Sequence, residues 1–166
     1  DAAEGEPGEL WIRGPQVMLG YLEKPEATAE TLTDDGWLRT GDVAAVDEYA
    51  YVRLSDRTKD LIKSGGEWIS SVELENAIMA NPAVIEAAVI GVPDERWGEQ
   101  VAAFVRLAEG VSATPDELSA HVRDRLAAYK APRSWVFVDA FPLTGSGKIQ
   151  KSVLRDQYVK GELNPS

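Results

Sequence analysis

Apolar and polar positions along the chain sort into two stretches of different character. In the first, Glu9 to Val17 reads as a strand leading into a turn at Gly14-Pro15. Pro25 followed by EATAETL suits a short helix with proline in its first turn. Asp34-Asp35-Gly36 is a turn signal, Trp37 to Thr40 leaves it as a strand, and Ala50 to Leu54 adds another. SDRTKDLIKSGG then interrupts the pattern. It is polar and charged, ends in paired glycines, and reads as a connector rather than core.

Beyond the connector the pattern becomes that of a compact α+β domain. Ser70-Ser71-Val72-Glu73 reads as a capping box opening a helix to about Met79, and Asn81-Pro82 stops it. Val84 to Val92 and Val101 to Leu107 are β-rich runs joined by the turn-rich PDERWGE. Thr114-Pro115-Asp116-Glu117 is a second capping box. In the helix that follows, Leu118, Val122 and Leu126 repeat at i, i+4, i+8 and predict one buried face. The single histidine, His121, falls on the polar side of that helix and reads as solvated. Trp135 to Val138 is a short strand, PLTGSGK a loop, and Lys151 to Lys160 a closing helix.

Composition narrows the function classes. The 166 residues suffice for one ordinary domain, or a small domain plus part of another. Seventeen Lys and Arg against 28 Asp and Glu give a formal charge of −11, which argues against a nucleic-acid partner. Between Arg123 and Lys160 the balance reverses, and a local basic end suits a small anionic ligand or a solvated basic face. With no cysteine, disulfides, zinc fingers and thiol catalysis are excluded, and the composition suits the cytoplasm. No apolar run approaches membrane-spanning length. The opening DAAEGEPGELWIRG has no start methionine and runs straight into strand-like sequence, which reads as a piece of a longer chain.

Four segments stand out together: GELWIRGPQVMLGYL, then GWLRTGD ending in Asp42, then SDRTKDLIKSGGEWISSVELE, and last PLTGSGKIQK. In this order and at these separations they resemble the late signature motifs of the adenylate-forming superfamily. That superfamily includes acyl-CoA synthetases, nonribosomal peptide adenylation domains and beetle luciferases. The resemblance runs from about Gly8 to Tyr158, and GGEWISS is similar to bacterial medium- and long-chain fatty acyl-CoA ligases.

The resemblance implies an α+β chain. Residues 1–56 would be the β-rich end of a large AMP-binding domain, 57–60 a hinge, and 61–166 a mobile C-terminal domain with a small mixed sheet flanked by helices. It implies a cytoplasmic enzyme, free or peripheral to the membrane, that uses ATP with Mg2+, a fatty acid and coenzyme A. In such enzymes a carboxylate attacks the α-phosphorus of ATP and expels pyrophosphate, and a thiol then displaces AMP from the acyl-adenylate. Two anions approach in the first step, so a cation must bridge their oxygens as charge develops. By resemblance Lys148 is that cation, on a glycine-flanked loop; read alone, it is a surface lysine on a turn. Asp42 would accept the ribose hydroxyls, or else serve as a turn or cap residue. Arg57 would contact the nucleotide, or else pair with Asp56 or Asp60.

Lys59 stands at the superfamily's hinge position, where a few torsions absorb a rotation of the C-terminal domain. Gly65 and Gly66 would line the pantetheine tunnel or form a simple turn with positive φ. Trp68 would pack at a domain interface or tunnel mouth, or lie in the core. Trp97 would pack.

Two departures carry expectations. Ala50 replaces a glycine usual in a hairpin turn, so a different turn is expected there. Lys151 replaces a common arginine and could offer charge to a phosphate. The phosphate loop, adenine segment and acyl pocket of the superfamily have no counterpart here, which implies that this chain by itself has negligible ligase activity. Other acceptors remain open, namely a fatty acyl-AMP ligase or a carrier-protein-loading enzyme, as does a non-catalytic docking module. The setting of Lys148 also resembles that of lysines modified by protein acetyltransferases in related synthetases. Acetylation would remove the bridging charge.

Overall fold

The computed structural model describes residues 2–3 and 5–165. Two units emerge, Asp1–Lys59 and Asp60–Ser166, each held by its own contacts.

In the first unit, β1 (Gly8–Ile12), β2 (Leu38–Val46) and β3 (Val52–Arg57) form an antiparallel sheet in the order β1-β2-β3. β1 ends at Ile12, earlier than the sequence suggested, because Gly14 and Pro15 start their turn at once. Helix α1 (Pro25–Thr31) carries its proline in the first turn, as expected. The β2–β3 hairpin closes through Asp47, whose Oδ1 accepts the Tyr49 and Tyr51 amides at 3.0 and 2.9 Å. Ala50 itself takes φ +62, the left-handed conformation natural to glycine.

The second unit is a mixed sheet flanked by helices, the class expected. It contains β4 (Ile62–Ser64), β5 (Glu67–Ile69), α2 (Ser71–Met79), β6 (Val84–Asp94), β7 (Gly98–Leu107), α3 (Pro115–Arg123), β8 (Ser134–Phe137) and α4 (Lys151–Val159). The strand order is β5-β4-β7-β6, with β8 parallel to β7 and the other pairs antiparallel. Period-2 alternation in β6 splits the core between two faces. Ala87 and Val89 join Leu74, Ile78, Leu118 and Val122 beneath α2 and α3. Ala88, Ile90 and Val92 join Phe104, Phe141 and Leu154 beneath α4. Each fully buried Leu or Phe among them stabilises the fold by about 1.5–3 kcal/mol.

Both helix starts follow the sequence. Ser70 Oγ accepts the Glu73 amide at 3.1 Å, and Thr114 with Glu117 forms a reciprocal capping box.

Three readings are corrected. SDRTKDLIKSGG is not merely a connector. Asp56 is buried within β3 and Ile62, at 1% exposure, lies in the core, because strand pairing overrides a polar neighbourhood. PDERWGE is mostly strand, since Asp94 and Gly98 are still paired and only Glu95 to Trp97 turn. His121 is not solvated. Its Nε2 lies 3.0 Å from the Ala77 carbonyl, so it links α3 to α2 from a half-buried position.

Candidate active site

The sequence-predicted residues fall in both units, and each set is described within its own. In the first unit the sheet register brings Asp42 and Arg57 together. β1 pairs Glu9 with Val43 and Trp11 with Arg39, so Leu10 alone faces Thr40, Gly41 and Asp42. That bulge lifts Asp42 out of the regular ladder, as bulges beside functional sites do. A second irregularity, between Val43 and Ala44, lets Asp42 face Arg57 across β2 and β3.

The bulge is pinned from three sides. Thr40 Oγ1 donates to the Leu10 carbonyl at 2.7 Å and accepts the Asp42 amide at 3.1 Å. Thr58 grips the Gly41 carbonyl with its amide at 2.9 Å and its hydroxyl at 2.7 Å. Gly41 is required for its φ of +71 rather than for space, since an added Cβ would meet only Thr58 Oγ1, at 3.8 Å. Thr40 and Thr58 lie inside the GWLRTGD and SDRTKDL segments, but the sequence alone does not show what they hold.

Arg57 Nε donates to Asp42 Oδ1 at 3.1 Å. Asp56 Oδ1 accepts the Arg57 amide at 2.7 Å. With side-chain exposures of 67% and 33%, the Arg57–Asp42 pair adds at most about 1 kcal/mol to stability. A carboxylate offers about four lone-pair positions, so after one bond to Arg57 it can still receive two hydroxyl donors. Lys59 follows on the exposed turn that leaves β3.

In the second unit Lys148 lies in a hairpin whose ends pair as an isolated bridge, Leu143 with Ile149. Thr144 organises it. Its amide donates to the Lys148 carbonyl at 2.7 Å, its carbonyl accepts the Gly147 amide at 2.9 Å, and its Oγ1 accepts the Lys148 amide at 3.0 Å. Gly147 takes φ +83 immediately before the lysine. The backbone of Lys148 is therefore fixed while its side chain is exposed, and no ion pair among the described residues involves it.

Gly65 and Gly66 join β4 to β5 with φ of +60 and +92, the pattern of a type I′ hairpin. Gly66 needs only that conformation, but Gly65 also lies against Trp97. An added Cβ would fall 2.8 Å from the indole Cε3, and the Gly65 amide donates to the Trp97 carbonyl at 2.9 Å. Trp97 does pack, as expected, and the Arg96 and Arg133 guanidinium carbons each sit 4.6 Å from its ring centroid. Trp68 is 59% exposed, which overturns its core alternative; the Lys63 ammonium lies 5.4 Å from its ring.

Lys151 does not present its charge to an open site. Its Nζ is tied to Glu75 Oε1 at 2.7 Å and Ser71 Oγ at 2.8 Å, with the side chain 18% exposed. Among the described residues no group of three or more His, Cys, Asp or Glu side chains could hold a metal ion. Nor, among these residues, is any helix long and apolar enough to cross a membrane.

An organised lysine hairpin in one unit and a bulge-mounted Asp–Arg pair in the other match the motifs singled out in the sequence. Residues 73–148 match the family described as AMP-binding enzyme C-terminal domain. The chain belongs to the adenylate-forming enzymes. It is 52% identical over 154 residues to a feruloyl-CoA synthase of Amycolatopsis sp., covering 93% of this chain and 31% of that protein. It is 48% identical over 152 residues to the long-chain-fatty-acid–CoA ligase of Thermus thermophilus, covering 91% of this chain and 28% of that protein. Among solved structures, ATP-bound MatB of Rhodopseudomonas palustris superposes with a TM-score of 0.87 at 38% identity, over 95% of this chain and 31% of that one. The chain thus spans about a third of the length of such relatives.

Proposed function

We propose that this chain is the C-terminal part of an ATP-dependent fatty acid–CoA ligase that forms an acyl-adenylate and then an acyl-CoA thioester. The observation that carries the reading is Lys148, an exposed ammonium on a hairpin whose backbone is fixed at both sides of the residue. A cation held this way can approach the carboxylate and the α-phosphate together, stabilising the charge that develops between them. Asp42 would accept the ribose hydroxyls, oriented by Arg57, which would also reach toward the nucleotide. ATP, with its Mg2+, would be held mainly by residues outside this chain, so the chain alone is proposed to be inactive.

Residues 1–56 would close the AMP-binding domain, 57–60 would form the hinge with Lys59 at its centre, and 61–166 would rotate between half-reactions. The division of the chain at Lys59 and Asp60 supports that arrangement. The thin Gly65-Gly66 turn and the exposed Trp68 suit one wall of a passage for the pantetheine arm. Exposure of Lys148 suits a protein acetyltransferase equally well, and such modification would silence adenylation by removing the charge. A cytoplasmic location, free or peripheral to the membrane, belongs to the same reading.

The test is an acid panel assayed on the full-length protein, following AMP release with and without coenzyme A. Fatty acids giving CoA-dependent AMP release and an acyl-CoA product support the proposal. Preference for an aromatic acid, or acyl-adenylate that accumulates untouched by coenzyme A, contradicts it.

A further inference from the structure

β6 ends the strand order β5-β4-β7-β6, so its outer edge has no strand partner among the described residues. An open edge presents backbone groups that need other partners. Here two helices supply them from opposite faces. From α2, Glu75 Oε1 accepts the Val89 amide at 2.8 Å. From α4, Arg155 Nε donates to the Gly91 carbonyl at 3.1 Å. Lys151, the first residue of α4, then joins the two helices around that edge through Glu75 and Ser71. The Lys151 and Glu75 side chains are only 18% and 15% exposed, a setting in which losing one partner strands the other's charge.

The Lys148 hairpin hangs between this anchor and the buried Phe141. The Gln150 amide closes its base on the Pro142 carbonyl at 2.8 Å, and α4 begins at the next residue. We infer that Lys151 is a positioning residue for Lys148: its half-buried pair with Glu75 clamps α4 around the β6 edge and so fixes where the lysine hairpin stands. The catalytic consequence rests on the adenylation reading given above, whereas the mechanical link does not.

Hydrogen exchange on this chain separates the two. The variants are Lys151→Met, Lys151→Arg, and the double variant Lys151→Met with Glu75→Gln, which strands no charge and keeps an acceptor for the Val89 amide. In the Met variant and the double variant, exchange at the Thr144, Gly147, Lys148 and Gln150 amides should accelerate about tenfold or more, while the central amides of β7 hold their protection. Lys151→Arg should restore the hairpin. Unchanged hairpin exchange in the double variant, or acceleration spread evenly over sheet and hairpin, overturns the inference.

In the full-length protein the double variant should lower kcat for adenylate formation about tenfold and leave KM for the acid within about twofold. A loosened hairpin with unchanged kcat would overturn the catalytic consequence alone. Adenylation that survives Lys148→Ala would instead overturn the function proposed for Lys148, leaving the exchange result intact.

Discussion

Ala50 holds a conformation that its side chain opposes, and replacing it with glycine should stabilise the first unit. At φ +62 an L-residue brings Cβ close to the following carbonyl, a cost of about 1–2 kcal/mol. Glycine removes that cost but gives the unfolded chain more freedom, returning about 0.4–1 kcal/mol. The net gain expected for Ala50→Gly is about 0.5–1 kcal/mol. The surrounding turn should survive, because its bonds are made by Asp47 and by main-chain groups: Asp47 N–H to the Tyr51 carbonyl at 3.1 Å, and Ala50 N–H to the Asp47 carbonyl at 2.9 Å. Since the chain has two units, a single denaturation midpoint does not isolate the effect. Site-resolved hydrogen exchange does. Protection of the Ala50-position and Tyr51 amides should rise about threefold, with no change in β6 and β7. Ala50→Val should lower it, a β-branched side chain fitting that region worse. Reduced protection in Ala50→Gly would refute the reasoning.

Other outcomes follow from the same geometry. Gly65→Ala should destabilise the second unit by more than Gly66→Ala, read from hydrogen exchange at the central β7 amides, since both lose about 1–2 kcal/mol to positive φ but only Gly65 also presses on Trp97. Equal losses would mean that the indole yields without cost. The Glu117 carboxyl is held below its usual range, first by the Thr114 amide and then by the Thr114 hydroxyl. A lowered folded-state value contributes stability that is present above the unfolded carboxyl's range and lost as pH falls through the folded one. The difference in hydrogen-exchange protection factor of the α3 amides between the native chain and Glu117→Gln should therefore be present at neutral pH and shrink on acidification below about pH 4. A difference that grows toward acid would contradict the cap.

The motif residues were legible because the chemistry they suit demands particular types at particular separations. A lysine preceded by Gly145 and Gly147, and an aspartate after Gly41, are read directly from the chain. So were the capped helices, since Ser70 and Thr114 announce their starts. What holds these residues is a set of contacts between positions far apart in the sequence, which no local pattern announces. Thr58 grips a carbonyl seventeen positions away, and His121 reaches Ala77 on another helix. Asp56 and Ile62 looked like connector because their neighbours are charged, yet pairing with β2 and packing beneath α2 decide their burial. Lys151 was read by charge alone; only the fold reveals the carboxylate of Glu75 waiting around the strand edge.

The central claim is that Lys148 supplies the charge that adenylation needs, and partial-reaction kinetics test it most directly. In the full-length protein, Lys148→Ala should slow acyl-adenylate formation from ATP and a fatty acid by about a hundredfold to a thousandfold. The same variant, given preformed acyl-adenylate and coenzyme A, should still make thioester at close to the native rate. Equal loss in both half-reactions, or adenylation at the native rate, would contradict the account.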